Sequence, residues 1–183
     1  LFINADDWGR SVEETDRIVE CVRRGPVRNA SAMVWMADSE RAATLSRAFT
    51  EVDFGLHLNF TEAFSAESVP DAIRRDHERA QRALSGGGAI RRYLPNPGCW
   101  GAFSRSVVAQ IEEFERLYGR TPERVDGHLH MHLSFNGLWG LRRFAGQRAR
   151  RNFTFEPGEK SWANRCLRDW IDRHLARRFS ISD

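Results

Sequence analysis

Short apolar runs alternate with amphipathic stretches along almost the whole chain, and this alternation limits the fold more than any other feature of the sequence. Leu1-Phe2-Ile3-Asn4-Ala5 reads as a buried strand halted by Asp6-Asp7-Trp8-Gly9. A helix follows: Ser11 and Glu14 fit a capping box, Val12, Ile18, Val19 and Val22 form an apolar stripe, and Gly25-Pro26 supplies the stop. The pattern then repeats with a strand at Ala30–Trp35, a helix over Asp38–Phe49 and a strand across Val52–Phe60. Helices are expected at Asp71–Leu84, Ser104–Tyr118, Asn136–Arg148 and Ser161–Arg177. Strands are expected from Arg124 into a histidine cluster, at Asn152–Phe155 and from Phe179. Gly86-Gly87-Gly88 and Pro95-Asn96-Pro97-Gly98 mark a long loop between the third and fourth helices.

Strands that alternate with helices imply right-handed crossovers and a mainly parallel α/β sheet or barrel. Polar residues at the carboxyl ends of such strands gather on one rim, where sites are built. A length of 183 residues favours one domain spanning 1–183. The sequence has no internal repeat and no low-complexity tract.

Charge and cysteine content narrow the function classes. Residues 139–183 hold eleven Lys or Arg against five Asp or Glu, so the net charge of +3 is concentrated late in the chain. Lys160 is the only lysine, and base composition accounts for such an arginine bias as well as a selected surface does. Cys21, Cys99 and Cys166 form no CxxC pair, which argues against a disulfide framework or a thiolate zinc site and favours a reducing, cytoplasmic compartment. No apolar run reaches the roughly 18–20 residues of a membrane span, so no membrane partner is expected.

Three places could carry chemistry. Asp6 and Asp7 are adjacent carboxylates at a strand end; one could ligate a metal while the other acts as a base, although helix-capping turns use the same residues. His57 shares a strand face with Asn59, opposite Leu56 and Leu58; taken alone it could equally be structural. Asp126-Gly127-His128-Leu129-His130-Met131-His132 is more informative, because strand alternation would put Asp126 and all three histidines on one face. Three protonated imidazoles would repel one another, whereas a divalent cation favours the neutral ring and uses its lone pair; a solvent-facing polar edge is the plainer alternative. A mixed Asp and His donor set suits zinc, magnesium or manganese. There is no GxSxG, HExxH or GxxxxGK[ST] motif, which narrows the field toward metal-assisted hydrolysis.

Asn4-Ala5-Asp6-Asp7-Trp8-Gly9, Gly55-Leu56-His57-Leu58-Asn59 and Val125-Asp126-Gly127-His128-Leu129-His130-Met131-His132 together resemble the YdjC/ChbG family of carbohydrate deacetylases in content, order and separation. The resemblance implies a distorted (β/α) barrel related to polysaccharide deacetylases. It also implies hydrolysis of the acetamide of an N-acetylated sugar or oligosaccharide, with release of acetate and with one divalent ion, Mg2+ or Zn2+, as cofactor. By position it makes Asp7, His57 and His128 the metal ligands and Asp6 the catalytic base. His132 becomes a substrate contact and the first substitute for His128, and His130 keeps an unassigned role. Members of the family usually continue for further strands and bring a late His-Pro-Gly segment to the site. That segment does not occur in this sequence, so the resemblance implies a domain incomplete at its C-terminus, with slow turnover and a general acid left open between Asp6 and His132.

Two rivals accompany this reading. Another metal-dependent hydrolase, such as a phosphoesterase, would use the same residue types. A noncatalytic module could instead bind nucleic acid or another polyanion through the late arginines. Against the module, Trp162, Leu167, Trp170, Ile171 and Leu175 interleave with those arginines as in an ordinary core-facing helix, so no nucleic-acid partner is expected. Self-association as a homodimer is an open expectation. Trp8 and Trp100 are the tryptophans placed in loops where a sugar could stack.

Overall fold

The computed structural model describes residues 3–85, 91–142, 144, 148–153, 155 and 158–182; the expected Gly86–Gly88 loop lies outside them. Six parallel strands form one sheet: β1 (Ile3–Trp8), β2 (Val27–Ala32), β3 (Asp53–Leu58), β4 (Arg124–Gly127), β5 (Arg148–Arg150) and β6 (Ser180–Ser182). Six helices connect them: α1 (Val12–Arg24), α2 (Ser39–Ser46), α3 (Asp71–Ser85), α4 (Trp100–Tyr118), α5 (Phe135–Leu141) and α6 (Trp162–Ala176). Each strand pairs with the next in sequence, in the order β1-β2-β3-β4-β5-β6. Sequential order without a reversal is that of a barrel wall, whereas a doubly wound sheet turns back on itself. Among the described residues no helix is long and apolar enough to cross a membrane.

Local chemistry explains most element boundaries. Ser11 accepts a hydrogen bond from the Glu14 amide at the start of α1, and Gly25 closes that helix at φ 113°, a left-handed conformation that costs glycine little. Strand residues Ala30, Ala32, Phe54, Leu56, Leu58, Val125 and Ala149 are all buried; their register puts them on one face of the sheet, which packs into the apolar core.

The later elements depart from the sequence reading. β5 lies at Arg148–Arg150 and not at Asn152–Phe155, because Arg148 is held by the Asp53 carboxylate at 3.0 Å and, through its amide, by the Glu123 carbonyl at 2.9 Å. Only Ile171 and Leu175 of α6 are buried, while Trp162, Leu167 and Trp170 are exposed. One narrow i, i+4 seam therefore docks this helix, and the expected five-residue core face is corrected to two. Trp8 is likewise corrected: it lies in β1, fully buried against Phe49 and Phe54, where no sugar can stack on it. Trp100 stacks on Trp139 with ring centroids 4.0 Å apart.

The largest correction concerns the histidines. β4 stops at Gly127, and His128–Leu133 form a 3-10 turn in which Leu129 (φ 51°) and His130 (φ 57°) are left-handed. The side chains therefore fan out, and the three imidazoles do not share one strand face.

β3 and β4 approach so closely that a Cβ on Gly55 would sit 2.7 Å from the Arg124 carbonyl oxygen and 3.1 Å from the Arg124 Cβ. Gly55→Ala should therefore destabilise the chain by about 1–3 kcal/mol. Gly98→Ala, which meets only Asn96 at 3.5 Å, should change stability by less than about 0.5 kcal/mol. Urea denaturation of both variants measures the difference.

Candidate active site

The first carboxylates are aimed by an irregular strand. Ala5 pairs with Ala30 and Trp8 with Ala32, so three steps along β1 match two along β2. Asp7 takes up the extra residue at φ 70°, a conformation aspartate tolerates better than most residues. Successive side chains thus leave the bulge in different directions, Asp7 toward the histidines and Asp6 toward β5.

His57 and Asp126 are register partners on β3 and β4, and His128 follows directly after β4. The Asp7 Oδ1 atom lies 3.3 Å from His57 Nε2 and 2.9 Å from His128 Nδ1. Behind each ring stands a second carboxylate. His57 Nδ1 meets Asp126 Oδ1 at 2.7 Å, and His128 Nε2 meets Glu62 Oε1 at 3.2 Å. Arg10 grips Glu62 with two N–H groups at 2.9 and 2.6 Å.

This geometry fits a divalent cation. A ring nitrogen that donates to Asp126 or Glu62 leaves its opposite nitrogen with a lone pair turned toward Asp7. Two lone pairs and a carboxylate then converge, which is stable only with protons or a cation between them. The candidate donor atoms of Asp7, His57 and His128 all lie within 4.8 Å of one another.

Without an ion, the surrounding charges favour a protonated His57. Burial opposes a positive His57, but the charge and hydrogen bond of Asp126, with Asp7 on the other side, outweigh it and push the pKa up to about 10. Burial also opposes ionisation of Asp7, yet hydrogen bonds from His128 and His57 hold its carboxyl below the usual carboxylate range. Asp126 is fully buried and is held low, against its burial, by His57, Arg124 and Ser31.

Asp6, His57 and Asp126 form a second close group. It is a poorer cation site, because Arg150 lies 3.3 Å and Arg124 3.5 Å from Asp126 Oδ2, and Ser31 donates to that oxygen at 2.7 Å. Arg150 also spans both Asp6 oxygens at 2.8 and 3.0 Å. Asp6 is thereby held at the edge of the first group, partly exposed to solvent.

The other two histidines stand apart. His132 is fully buried, its Nε2–H donates to the Arg150 carbonyl at 3.0 Å, and burial pulls its pKa down to about 4. It faces neither solvent nor Asp7, so the expected substrate contact, and its place as substitute ligand, do not match this geometry; it braces the strand that carries Arg150. His130 lies half-buried with its ring edge-on to Phe153, centroids 4.6 Å apart.

Sequence reasoning missed Glu62, Arg10, Arg124, Arg150 and Ser31. Glu62 had a local signal: Asn59 at the end of β3 accepts from the amides of Thr61 and Glu62, an Asx-type turn that carries Glu62 back over the site. The arginines had none, since Arg10 meets Glu62, Arg150 meets Asp6 and Arg124 meets Ser31 across long stretches of sequence.

Fold and rim cluster together define an α/β protein of the barrel-wall type with an Asp- and His-rich centre at the strand ends. A family model described as YdjC-like protein matches residues 1–182, and the chain belongs to that family. Among curated relatives, a carbohydrate deacetylase of Geobacillus stearothermophilus is 32% identical over 131 residues, covering 72% of this chain and 49% of that protein. A chitooligosaccharide deacetylase of Serratia marcescens is 28% identical, covering 73% and 50%. The chain thus spans about half the length of these relatives. A solved structure from Enterococcus faecalis V583, provisionally described as a cellobiose-phosphate cleavage protein, superposes with a TM-score of 0.65 at 20% identity over 97% of this chain and 65% of that one. At that identity it supports the fold alone.

The raised His57 pKa fixes a pH dependence for the metal-free chain. Its stabilisation is complete below the unfolded value near 6.5 and is lost as pH rises through about 10. The lowered Asp7 and Asp126 contribute above about pH 4, and their share is lost only in strong acid. Urea unfolding of chelator-treated protein should show stability falling between about pH 7 and 10, and Asp126→Asn should flatten that fall.

Proposed function

We propose that this chain carries the metal-binding and catalytic residues of a carbohydrate N-deacetylase, which removes the acetyl group of an N-acetylated sugar or oligosaccharide as acetate. One observation carries the reading: Asp7 stands between two imidazoles, each backed by its own carboxylate, with Asp6 held beside them by an arginine. The names of the deacetylase relatives supply the substrate class. Residues 1–183 are read as one catalytic domain, in whole or in part.

In this reading Asp7, His57 and His128 hold one divalent ion, Mg2+ or Zn2+. The bound ion would polarise the acetamide carbonyl and lower the pKa of water. Asp126 and Glu62 fix the two ring orientations, as outer carboxylates do in metal centres. Asp6 removes the proton from the attacking water, a role that suits its partial exposure and its clamp on Arg150. The clamp limits rotation of the Asp6 carboxylate, so the base is aimed before substrate arrives. Collapse of the tetrahedral species requires a proton on the leaving amine. His132 is poorly placed to supply it, because it is buried and its Nε2–H is spent on Arg150. Asp6 returning the proton it took is the route that fits.

Asp6→Asn should abolish acetate release from N-acetylglucosamine oligomers while leaving about one divalent ion per chain, read by elemental analysis. Loss of the ion would instead put Asp6 among the ligands. Asp126→Asn should weaken metal binding about 10–100-fold. A parallel screen of phosphate monoesters tests the rival chemistry: phosphate release without acetate release would overturn the deacetylase reading.

A further inference from the structure

Helix α3 contributes no residue to the centre, yet one of its faces is aimed at the segment that delivers Glu62. Arg74, His77 and Gln81 follow one another at steps of three and four, which puts them on a single helix face. All three donate to main-chain carbonyls of residues 61–66. Gln81 Nε2 reaches Thr61 at 2.7 Å, His77 Nε2 reaches Glu62 at 2.7 Å, and Arg74 reaches Phe64 at 3.1 Å and Ala66 at 3.3 Å. Asn59 closes the turn from its other side, donating from Nδ2 to the Glu62 carbonyl at 2.9 Å. Asn59 is held in turn by buried Gln110 of α4, which accepts from its amide at 2.8 Å and donates to its carbonyl at 3.0 Å.

His77 is the buried member of this face, and its ring stacks on Phe64 with centroids 3.7 Å apart. A carbonyl oxygen only accepts, so Nε2 carries the ring proton, while Nδ1 meets no hydrogen-bonding group among the described residues. Burial also pulls the pKa of the ring down, in keeping with a neutral imidazole. A phenylalanine here would stack on Phe64 equally well and would bury no unpaired nitrogen. What the imidazole adds is one N–H, and that N–H goes to the residue whose carboxylate meets His128 Nε2 at 3.2 Å. Arg10 grips the carboxylate of Glu62 at 2.9 and 2.6 Å, so its side chain and its backbone are fixed from opposite sides.

We propose that His77, with Gln81 beside it, is a positioning residue of the metal centre: by holding the backbone of the Glu62 turn it sets the carboxylate that orients His128, and so tunes cation affinity. This role rests on the reading of Asp7, His57 and His128 as ligands, and its test measures affinity and not turnover. Calorimetric titration of chelator-treated protein with Zn2+ should give an affinity that His77→Phe, which keeps the stacked ring, lowers about tenfold. His77→Gln, which brings an N–H back near the Nε2 position, should return it to within about twofold of wild type. Glu62→Ala should lower affinity about 10–100-fold, and His77→Phe added to Glu62→Ala should lower it by no more than about a further twofold, since both act through one carboxylate. Gln81→Ala, at a partly exposed position that tolerates truncation, should lower affinity about threefold, and it carries the test if His77→Phe does not fold. Unchanged affinity in either folded variant, or an equal loss from His77→Phe with and without Glu62, would overturn the positioning role. No zinc uptake by the wild type would remove the ligand set and the positioning role together. Uptake that responds to His77 without acetate release from wild type would keep the positioning role and remove the deacetylase reading.

Discussion

A fully buried carboxylate holds this structure together at the point where its chemistry begins. Asp126 sits on β4 with a hydrogen bond to His57 of β3, another from Ser31 of β2, and Arg150 of β5 within 3.3 Å. Arg124, from its own strand, joins Ser31 to the same carboxylate. An ionised carboxylate without such partners would be very costly in a core. Its presence therefore obliges four neighbouring strands to keep one register, and a slip of one residue in any of them would take away a group that offsets the buried charge.

That constraint passes outward to the site. With Asp126 fixed, the His57 ring is fixed, and its other nitrogen points at Asp7. A parallel chain of contacts runs from Arg10 through Glu62 to His128 and ends on the same Asp7 oxygen. Asp6 is set by a third line, Arg150, whose own carbonyl is braced by buried His132. Three lines of support, two of them joined through the Arg150 contact to Asp126, converge on a volume a few ångströms across, and such preorganisation lets charged groups act without first rearranging.

The strand-helix alternation was legible in the sequence because period and punctuation are local properties: Ser11 caps α1 and Gly25 ends it through bonds that span only a few residues. The placement of Asp6 and Asp7 together at a strand end, with side chains leaving in different directions, was also legible in outline. The histidine cluster was not. Alternation over residues 126–132 matches a strand template well, yet the strand stops at Gly127, where a Cβ would lie 3.0 Å from His132 atoms. The tight turn that follows is set by packing of His132 under the strand, a contact no period in the sequence encodes. The basic helix was misjudged for a similar reason, since exposure of Trp162 and Trp170 depends on what stands opposite them.

Sequence alone determined the class of architecture, the family, and the residue types that could meet a cation, because each of these depends on short-range pattern or on motifs in fixed order. Tertiary structure decided which of those residues meet. It separated His128 from His130 and His132, recruited Glu62 and Arg150, and turned Asp126 from one more candidate on a strand face into the buried anchor of the site. The physical reason is that coordination and ion pairing act over a few ångströms, whereas the groups involved lie up to 144 residues apart along the chain, as Asp6 and Arg150 do.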